Sequence, residues 1–293
     1  MSTQQFDPTR YKAGQQKEWS AAAAGWKDWG QVIGPGLQPI SDRMMELAEI
    51  RPGQQVLDVA TGLGEPAVTA ARMVGPAGGV VAIDMASQML DIARMRVAEL
   101  GIHNIDFREM DAEELDLSEQ SFDVILCRLG LMYLPNLQTS LERMRNLLVP
   151  GGRLTAAVWG PAQKVPFVSM PMAVAMRELQ VPPPPPGMPG PFSLADTDRV
   201  TQVLTQAGFT QVYTEPMTLT LDWTSIDEYV RFLQEVLVQI NALLARYPVE
   251  RQAEVWRAIA EAAQQFTTPD GMCRTENELI LMVGRRGMED NLL

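Results

Sequence analysis

The chain has 293 residues, 46% of them hydrophobic and 20% charged, a make-up that suits a globular protein of one large domain or a domain with a cap. Its 36 acidic and 24 basic residues give a net charge of -12, which argues against nucleic acid and anionic membrane surfaces as partners, because Lys and Arg contacts to phosphate dominate such binding. Cys127 and Cys273 lie far apart without a C-x-x-C pair, so no disulfide framework and no zinc or other metal site is expected.

The expected setting is a reducing cytoplasm. The N-terminus lacks an apolar signal region, so no processing is expected, and no stretch approaches the roughly 20 apolar residues that would span a bilayer.

In chain order, KEWSAAAAGWKDWG reads as helical, with Trp19, Trp26 and Trp29 on one face if the AAAAG segment stays helical. From Gln55 onward, short apolar runs alternate with helical patterns: QVLDVA, PAVTAARMV, GVVAIDM, SQMLDIARMRVAEL, IDFREM, FDVILCRL, LQTSLERMRNLLV and RLTAAVWG. This rhythm predicts right-handed βαβ crossovers and a doubly wound parallel sheet.

Past that core, a helix is expected around Phe167 to Leu179, and VPPPPPGMPGPF reads as a stiff polyproline spacer, with a docking motif as the alternative. A helix near Thr197 to Ala207 and a strand near Gln211 to Asp222 follow. Helical patterns over Ile226 to Arg246 and Val249 to Gln265 come next, and ENELILMVGRR is a last strand. The expected organisation is an N-terminal helical lid over 1–50, a Rossmann-like cofactor-binding core over 51–160, and a remainder over 161–293 with a helical cap insertion at about 225–265.

The loop after the first strand, VLDVATGLGEPA, carries G-x-G-x-x-A at Gly62, Gly64 and Ala67, and Asp84 follows at the end of the next strand. That spacing suits a dinucleotide or another adenosine cofactor. A dinucleotide loop offers free backbone N–H groups to a pyrophosphate. Here Pro66 removes one donor, and Glu65 places a negative charge close by; at ~4 Å two unit charges interact by about 4 kcal/mol at an effective dielectric near 20. A sulfonium cofactor has no phosphate and carries positive charge, so Asp58 and Glu65 would favour it. Asp84 can accept hydrogen bonds from ribose hydroxyls in either class of enzyme. Asp111 and Ala112, in FREMDAEEL, can read an adenine edge, or Asp111 can cap a helix with Glu114 as its capping-box partner.

VLDVATGLGEPA, VVAIDMASQML, REMDAEEL, SFDVILCRLGLMYLPN and LLVPGGRL, in this order and spacing, resemble the successive motifs of class I S-adenosylmethionine-dependent methyltransferases, and most of all the branch that contains the ubiquinone/menaquinone-biosynthesis enzymes. The resemblance covers about Gln54 to Trp159. It implies an α/β fold, a doubly wound seven-stranded sheet whose last strand runs antiparallel, and S-adenosyl-L-methionine as cofactor. Carried onto this chain, it places Asp58, Ala60, Thr61, Gly62 and Gly64 around the methionine portion, Asp84 and Met85 at the ribose, Asp111 and Ala112 at the adenine, and Cys127 with Arg128 at the rim, with Met89 as a further cofactor-binding residue. The loop reads Ala60-Thr61-Gly62-Leu63-Gly64 rather than the commoner Gly-Cys-Gly-x-Gly, which loosens the assignment of Ala60 and Thr61.

Methyl transfer is an in-line displacement that asks a protein mainly for alignment and exclusion of water. The only histidine, His103, falls in a turn at the far edge, so a histidine base is not expected. Tyr133, Arg128 and Tyr11 are the catalytic candidates, with Glu18 and Asp28 as further options. Trp19, Trp26 and Trp29, together with Trp159, Met170, Met172, Met176, Trp223 and Phe232, suggest a small hydrophobic or aromatic acceptor; the resemblance implies its methylation on O, C or N in secondary or quinone metabolism. A nicotinamide oxidoreductase and a non-catalytic S-adenosylmethionine-binding partner stay open as alternatives, as does a homodimer.

Overall fold

In the computed structural model, residues 6–185 and 187–288 are described; the outer ends of the expected lid and of the last segment (1–5 and 289–293), and Pro186 of the proline-rich loop, lie outside the described residues. Helix α1 (Pro8–Asp28) starts where the Asp7 side chain accepts hydrogen bonds from the Thr9 and Arg10 amides, with Pro8 in the first turn. After Trp29 the chain re-enters a helix, α2 (Gly30–Ala48), although Pro35 and Pro39 lie inside it. Leu37, Ile40, Met44 and Leu47 recur at helical spacing and are buried against the core, which outweighs the low propensity of those prolines.

The alternating core follows: β1 (Gln55–Val59), α3 (Ala67–Val74), β2 (Gly79–Asp84), α4 (Ser87–Glu99), β3 (Ile105–Glu109), β4 (Phe122–Arg128), α5 (Leu137–Leu147) and β5 (Leu148–Trp159). Then come α6 (Pro166–Leu179), α7 (Thr197–Gln206), β6 (Thr210–Trp223), α8 (Ile226–Val236), α9 (Val238–Leu244), α10 (Val249–Ala263) and β7 (Cys273–Arg285). One seven-stranded sheet has the order β3-β2-β1-β4-β5-β7-β6. β7 runs antiparallel to both β5 and β6, so the last strand of the chain is the reversed one, as the resemblance implies. The chain winds outward in opposite directions from β1 and β4, and the crevice beyond their carboxyl ends is the topological switch point where ligands of open α/β sheets bind.

The single helix expected over Ile226 to Arg246 is two. Leu237, at φ -84 and ψ 88, interrupts it, and the Asn241 side-chain amide donates to the Leu233 and Gln234 carbonyls at the break. The three-tryptophan face also stops short. Trp19 and Trp26 pack at 6.0 Å, but α1 ends at Asp28 and Trp29 turns to Phe232, centroids 5.4 Å apart. Trp159, Phe167, Trp223, Tyr229 and Phe232 form a buried aromatic cluster beneath the α8 face, in which Phe167 and Trp223 stack at 5.7 Å. They are core, not acceptor-facing surface.

Candidate active site

A cavity of about 860 Å³ opens beyond the carboxyl ends of β1 to β4, beneath α1 and the first half of α2. Of the residues singled out by the sequence, Tyr11, Ala60, Thr61, Gly62, Asp84, Met85, Met89, Asp111, Ala112, Arg128 and Tyr133 share its wall. Asp58, Gly64 and Cys127 do not.

The loop after β1 turns on left-handed backbone at Ala60 (φ 58) and Gly62 (φ 56). Gly62 leaves its side-chain position open to the cavity, and a side chain there would be strained as well. Gly64 faces the other way, packed against Ala93 and Phe107, so its glycine answers to helix packing. Most of the amides that a phosphate would need are already engaged. Thr61 N–H donates to the Ile83 carbonyl, Gly62 N–H to Asp84 Oδ2 (2.9 Å), Gly64 N–H to the Thr61 carbonyl, Ala67 N–H to Asp58 Oδ2 (3.0 Å) and Thr69 N–H to Glu65 Oε2. Pro66 has none to give. The dinucleotide alternative therefore loses its phosphate cradle.

Two expectations for this loop are corrected. Asp58 is fully buried and caps the start of α3 through Ala67, so it supports the loop from behind; burial pushes its carboxyl up to about 7, moderated by the Thr61 hydroxyl, the Arg128 charge and the Ala67 amide. Glu65 does not offer a bare charge, because Arg96 meets it at 2.8 Å and the Thr69 hydroxyl at 2.8 Å.

Asp84, at the end of β2, is braced by Gly62 N–H on one oxygen and Ala86 N–H on the other. Burial raises its pKa, and the Ala86, Gly62 and Met85 amides oppose that rise. At the end of β3, Asp111 Oδ1 accepts from the Glu113 amide, and Oδ2 lies 2.6 Å from Lys12 Nζ. No helix follows Asp111, so its capping-box reading with Glu114 does not hold; residues 112–114 form a turn. Met85, Met89 and Met110 supply apolar walls between the two carboxylates.

The rim after β4 is split by strand alternation. Cys127 points into the core, its thiol pushed up to about 12 by burial, while Arg128 faces the cavity. A side chain at Gly130 would meet Ala60 at 2.7 Å and the Cys127 sulfur at 2.8 Å, which shows how tightly the two strand ends abut. Tyr133 follows in a short 3-10 turn, and its hydroxyl accepts from Gln239 Nε2 of α9 at 2.9 Å. Burial, and secondarily Tyr11, raises the pKa of Tyr133.

From above, α1 presents Tyr11, Gln15 and Trp19 at i, i+4 spacing. Gln15 donates to Glu18 and leaves its buried Oε1 without a partner, while Gln16 Nε2 donates to the Met85 carbonyl at 2.8 Å. Sequence reasoning misses Lys12, Gln15, Gln16, Met110 and Gln239. The first three share a helix whose docking is not written in its local pattern; Gln239 arrives from a distant cap. Glu18, Asp28 and His103 are not part of the cavity wall.

The sheet order and the cleft beyond the carboxyl ends of β1 to β4 are similar to those of class I S-adenosylmethionine-dependent methyltransferases. Residues 50–180 match the family model described as a methyltransferase domain. The ubiquinone/menaquinone biosynthesis C-methyltransferase UbiE of Ectopseudomonas mendocina is 36% identical over 136 residues, covering 46% of this chain and 53% of that protein. The chain thus spans about half the length of the curated relatives it matches. Among solved structures, the YcgJ protein of Bacillus subtilis superposes with a TM-score of 0.55 at 18% identity, over 84% of this chain and 97% of that one. Phosphoethanolamine N-methyltransferase 2 of Haemonchus contortus, solved in complex with S-adenosyl-L-methionine, gives 0.52 at 18% identity over 83% and 51%. At these identities the two structures speak for the fold.

Proposed function

We propose that this chain methylates a small, largely apolar acceptor at carbon, oxygen or nitrogen, using S-adenosylmethionine, with α1 and the α8–α10 cap acting as a lid. The observation that carries the proposal is the cleft itself. It joins carboxylates at the ends of β2 and β3, and a loop whose amides are mostly committed, to an apolar compartment walled by Trp19, Trp26, Ile33, Leu37, Leu129 and Leu134. A phosphate-free, positively charged adenosine cofactor suits that arrangement.

S-adenosylmethionine supplies a methyl group already activated by its sulfonium. In this reading Asp84 holds the ribose diol, Asp111 and Ala112 the adenine edge between the methionines, and Ala60, Thr61 and Gly62 the aminoacyl arm. Tyr11 and Tyr133 stay protonated well above neutral pH because both are buried. They therefore serve as hydrogen-bond donors that orient the acceptor, not as bases. That favours an acceptor nucleophilic in its own right, such as an electron-rich ring carbon, a phenolate or an amine, and the likeness to the quinone C-methyltransferase favours the ring carbon. Closure of α1 keeps water from the reacting atoms. No helix among the described residues is long and apolar enough to cross a membrane.

Isothermal titration with S-adenosylmethionine, S-adenosylhomocysteine and NADH tests the cofactor. Binding of the first two and not the third is expected; no binding of either adenosyl ligand at millimolar concentration would overturn the reading. Transfer of a labelled methyl group across a panel of quinols, phenols and amines then identifies the acceptor.

A further inference from the structure

We propose that Arg128 is the anchor for the α-carboxylate of S-adenosylmethionine, so that the protein selects the intact amino-acid end of its cofactor. The inference rests on the methyltransferase reading above and deepens it. The order of groups along the cleft sets the direction: Asp111 ends the β3 segment, Asp84 ends β2, the Ala60–Gly62 turn follows β1, and Arg128 ends β4. With adenine at the first and ribose at the second, the aminoacyl arm runs over the β1 turn toward β4. Arg128 stands two residues beyond the Leu126–Asp58 pairing of β4 with β1, level with Ala60.

Among the described residues four cationic side chains line the cavity, and three are unsuited to this task. Lys12 is committed to Asp111 and Glu113, Arg96 to Glu65 and the Leu63 carbonyl, and Lys27 lies in the exposed last turn of α1. Arg128 uses only Nη1, which donates to Ser41 Oγ at 3.0 Å and to the Leu37 carbonyl at 3.3 Å. Among the described residues its Nε and Nη2 have no hydrogen-bond partner, and no carboxylate lies within ion-pair distance of it. Ser41 is fully buried in α2, so the guanidinium is held from behind by a rigid helix. A planar fork with unused donors, facing a cavity, matches a carboxylate in shape and charge. Asp58 and Glu65 act on Arg128 from a distance with opposite charge and Arg96 with like charge. An enclosed cation that lacks a close counter-ion gains one when the cofactor enters.

The test compares S-adenosylmethionine with decarboxylated S-adenosylmethionine by isothermal titration on the full chain, with 5′-methylthioadenosine as a probe that lacks the whole aminoacyl arm. The wild-type protein should prefer the carboxylated ligand by about tenfold or more. Arg128→Gln should lose that preference, bringing the two ligands within about threefold of each other, while 5′-methylthioadenosine binds as before. Arg128→Lys, which keeps the charge but not the fork, should retain part of the preference and guards against a glutamine variant that fails to fold. An equal loss for both ligands, or an undiminished preference in Arg128→Gln, overturns the assignment while leaving the methyltransferase reading intact. Failure of the wild-type protein to bind any of the three overturns both.

Discussion

Lys12 Nζ lies 2.6 Å from Asp111 Oδ2 and 3.2 Å from Glu113 Oε2, tying the second turn of α1 to the end of β3. One helical turn on, Gln16 donates to the Met85 carbonyl at the end of β2. The helix that covers the cleft is thus latched to the two strand ends that carry the adenine and ribose candidates.

The latch predicts a kinetic effect. Exposed and partly exposed ion pairs contribute up to about 1 kcal/mol, so Lys12→Met should speed release of S-adenosylhomocysteine by about fivefold. Trp19 and Trp26 line the cavity and serve as stopped-flow fluorescence reporters. Added salt should speed release from the wild-type protein and leave the variant nearly unaffected. An unchanged release rate in Lys12→Met would show that the pair does not hold the helix shut.

The other end of α1 depends on a close approach. A Cβ at Gly25 would sit 2.4 Å from the Glu235 carbonyl oxygen of α8, and the neighbouring Trp26 and Trp29 indoles donate to the Val236 carbonyl and to Glu235. Gly25→Ala must therefore push α1 off the cap, at an overpacking cost of about 1–3 kcal/mol. A lower melting temperature with weaker cofactor binding is expected, although no cofactor candidate is touched. Wild-type stability in that variant would contradict the packing described.

The parts most legible in the sequence are those whose neighbours in space are also neighbours in chain order. β1 through β5 alternate with their helices, and Gly62, Asp84 and Asp111 each lie at or just past the carboxyl end of a strand, so their shared edge follows from topology alone. α2 is not legible because Gly34, Pro35, Gly36 and Pro39 suppress every local helical signal, and only burial of Leu37, Ile40 and Met44 against the sheet restores it. The family resemblance puts Cys127 beside Arg128 on the rim, yet adjacent strand residues face opposite ways, and that period separates them. Asp58 and Gly64 belong to a loop whose motif names residue types without saying which side of the turn each serves. The contact between Gln239 and Tyr133 joins residues 106 positions apart and has no local signature.

Asp58 gives the fold a definite pH signature. Its carboxyl is pushed up to about 7 by burial, against an ordinary value of about 3.9 in the unfolded chain. Between those values the native protein holds a proton that the unfolded chain has released, so stability falls as pH rises, by at most about 1.4 kcal/mol per pH unit for one proton, and levels off above the native value. Asp84, also raised by burial, tilts the curve the same way. Asp58→Asn keeps an oxygen for the Ala67 amide and removes one titration. Urea unfolding at pH 5, 6, 7 and 8 should therefore give a shallower decline in the variant; parallel curves would mean that Asp58 is ionised throughout.

Tyr133 separates the two ligands that the cavity is expected to hold. Its ring packs edge-on to Trp19 at 6.0 Å, and its hydroxyl accepts from Gln239, which leaves the O–H free to donate. Tyr133→Phe removes that donor and leaves the Gln239 amide without its acceptor, but it touches neither Asp84 nor Asp111. Affinity for S-adenosylmethionine should stay within about twofold, whereas kcat/KM for the methyl acceptor should fall by about tenfold, the usual worth of one hydrogen bond in an enclosed site. Gln239→Leu should produce a smaller loss of the same kind, because it frees the Tyr133 ring without removing its O–H. Since burial keeps Tyr133 protonated, the wild-type pH–rate profile should show no rising limb in the tyrosine range that disappears in Tyr133→Phe. Such a limb would make the phenolate a base and reverse the donor role of Tyr133, and equal losses for cofactor and acceptor would move Tyr133 out of the acceptor compartment.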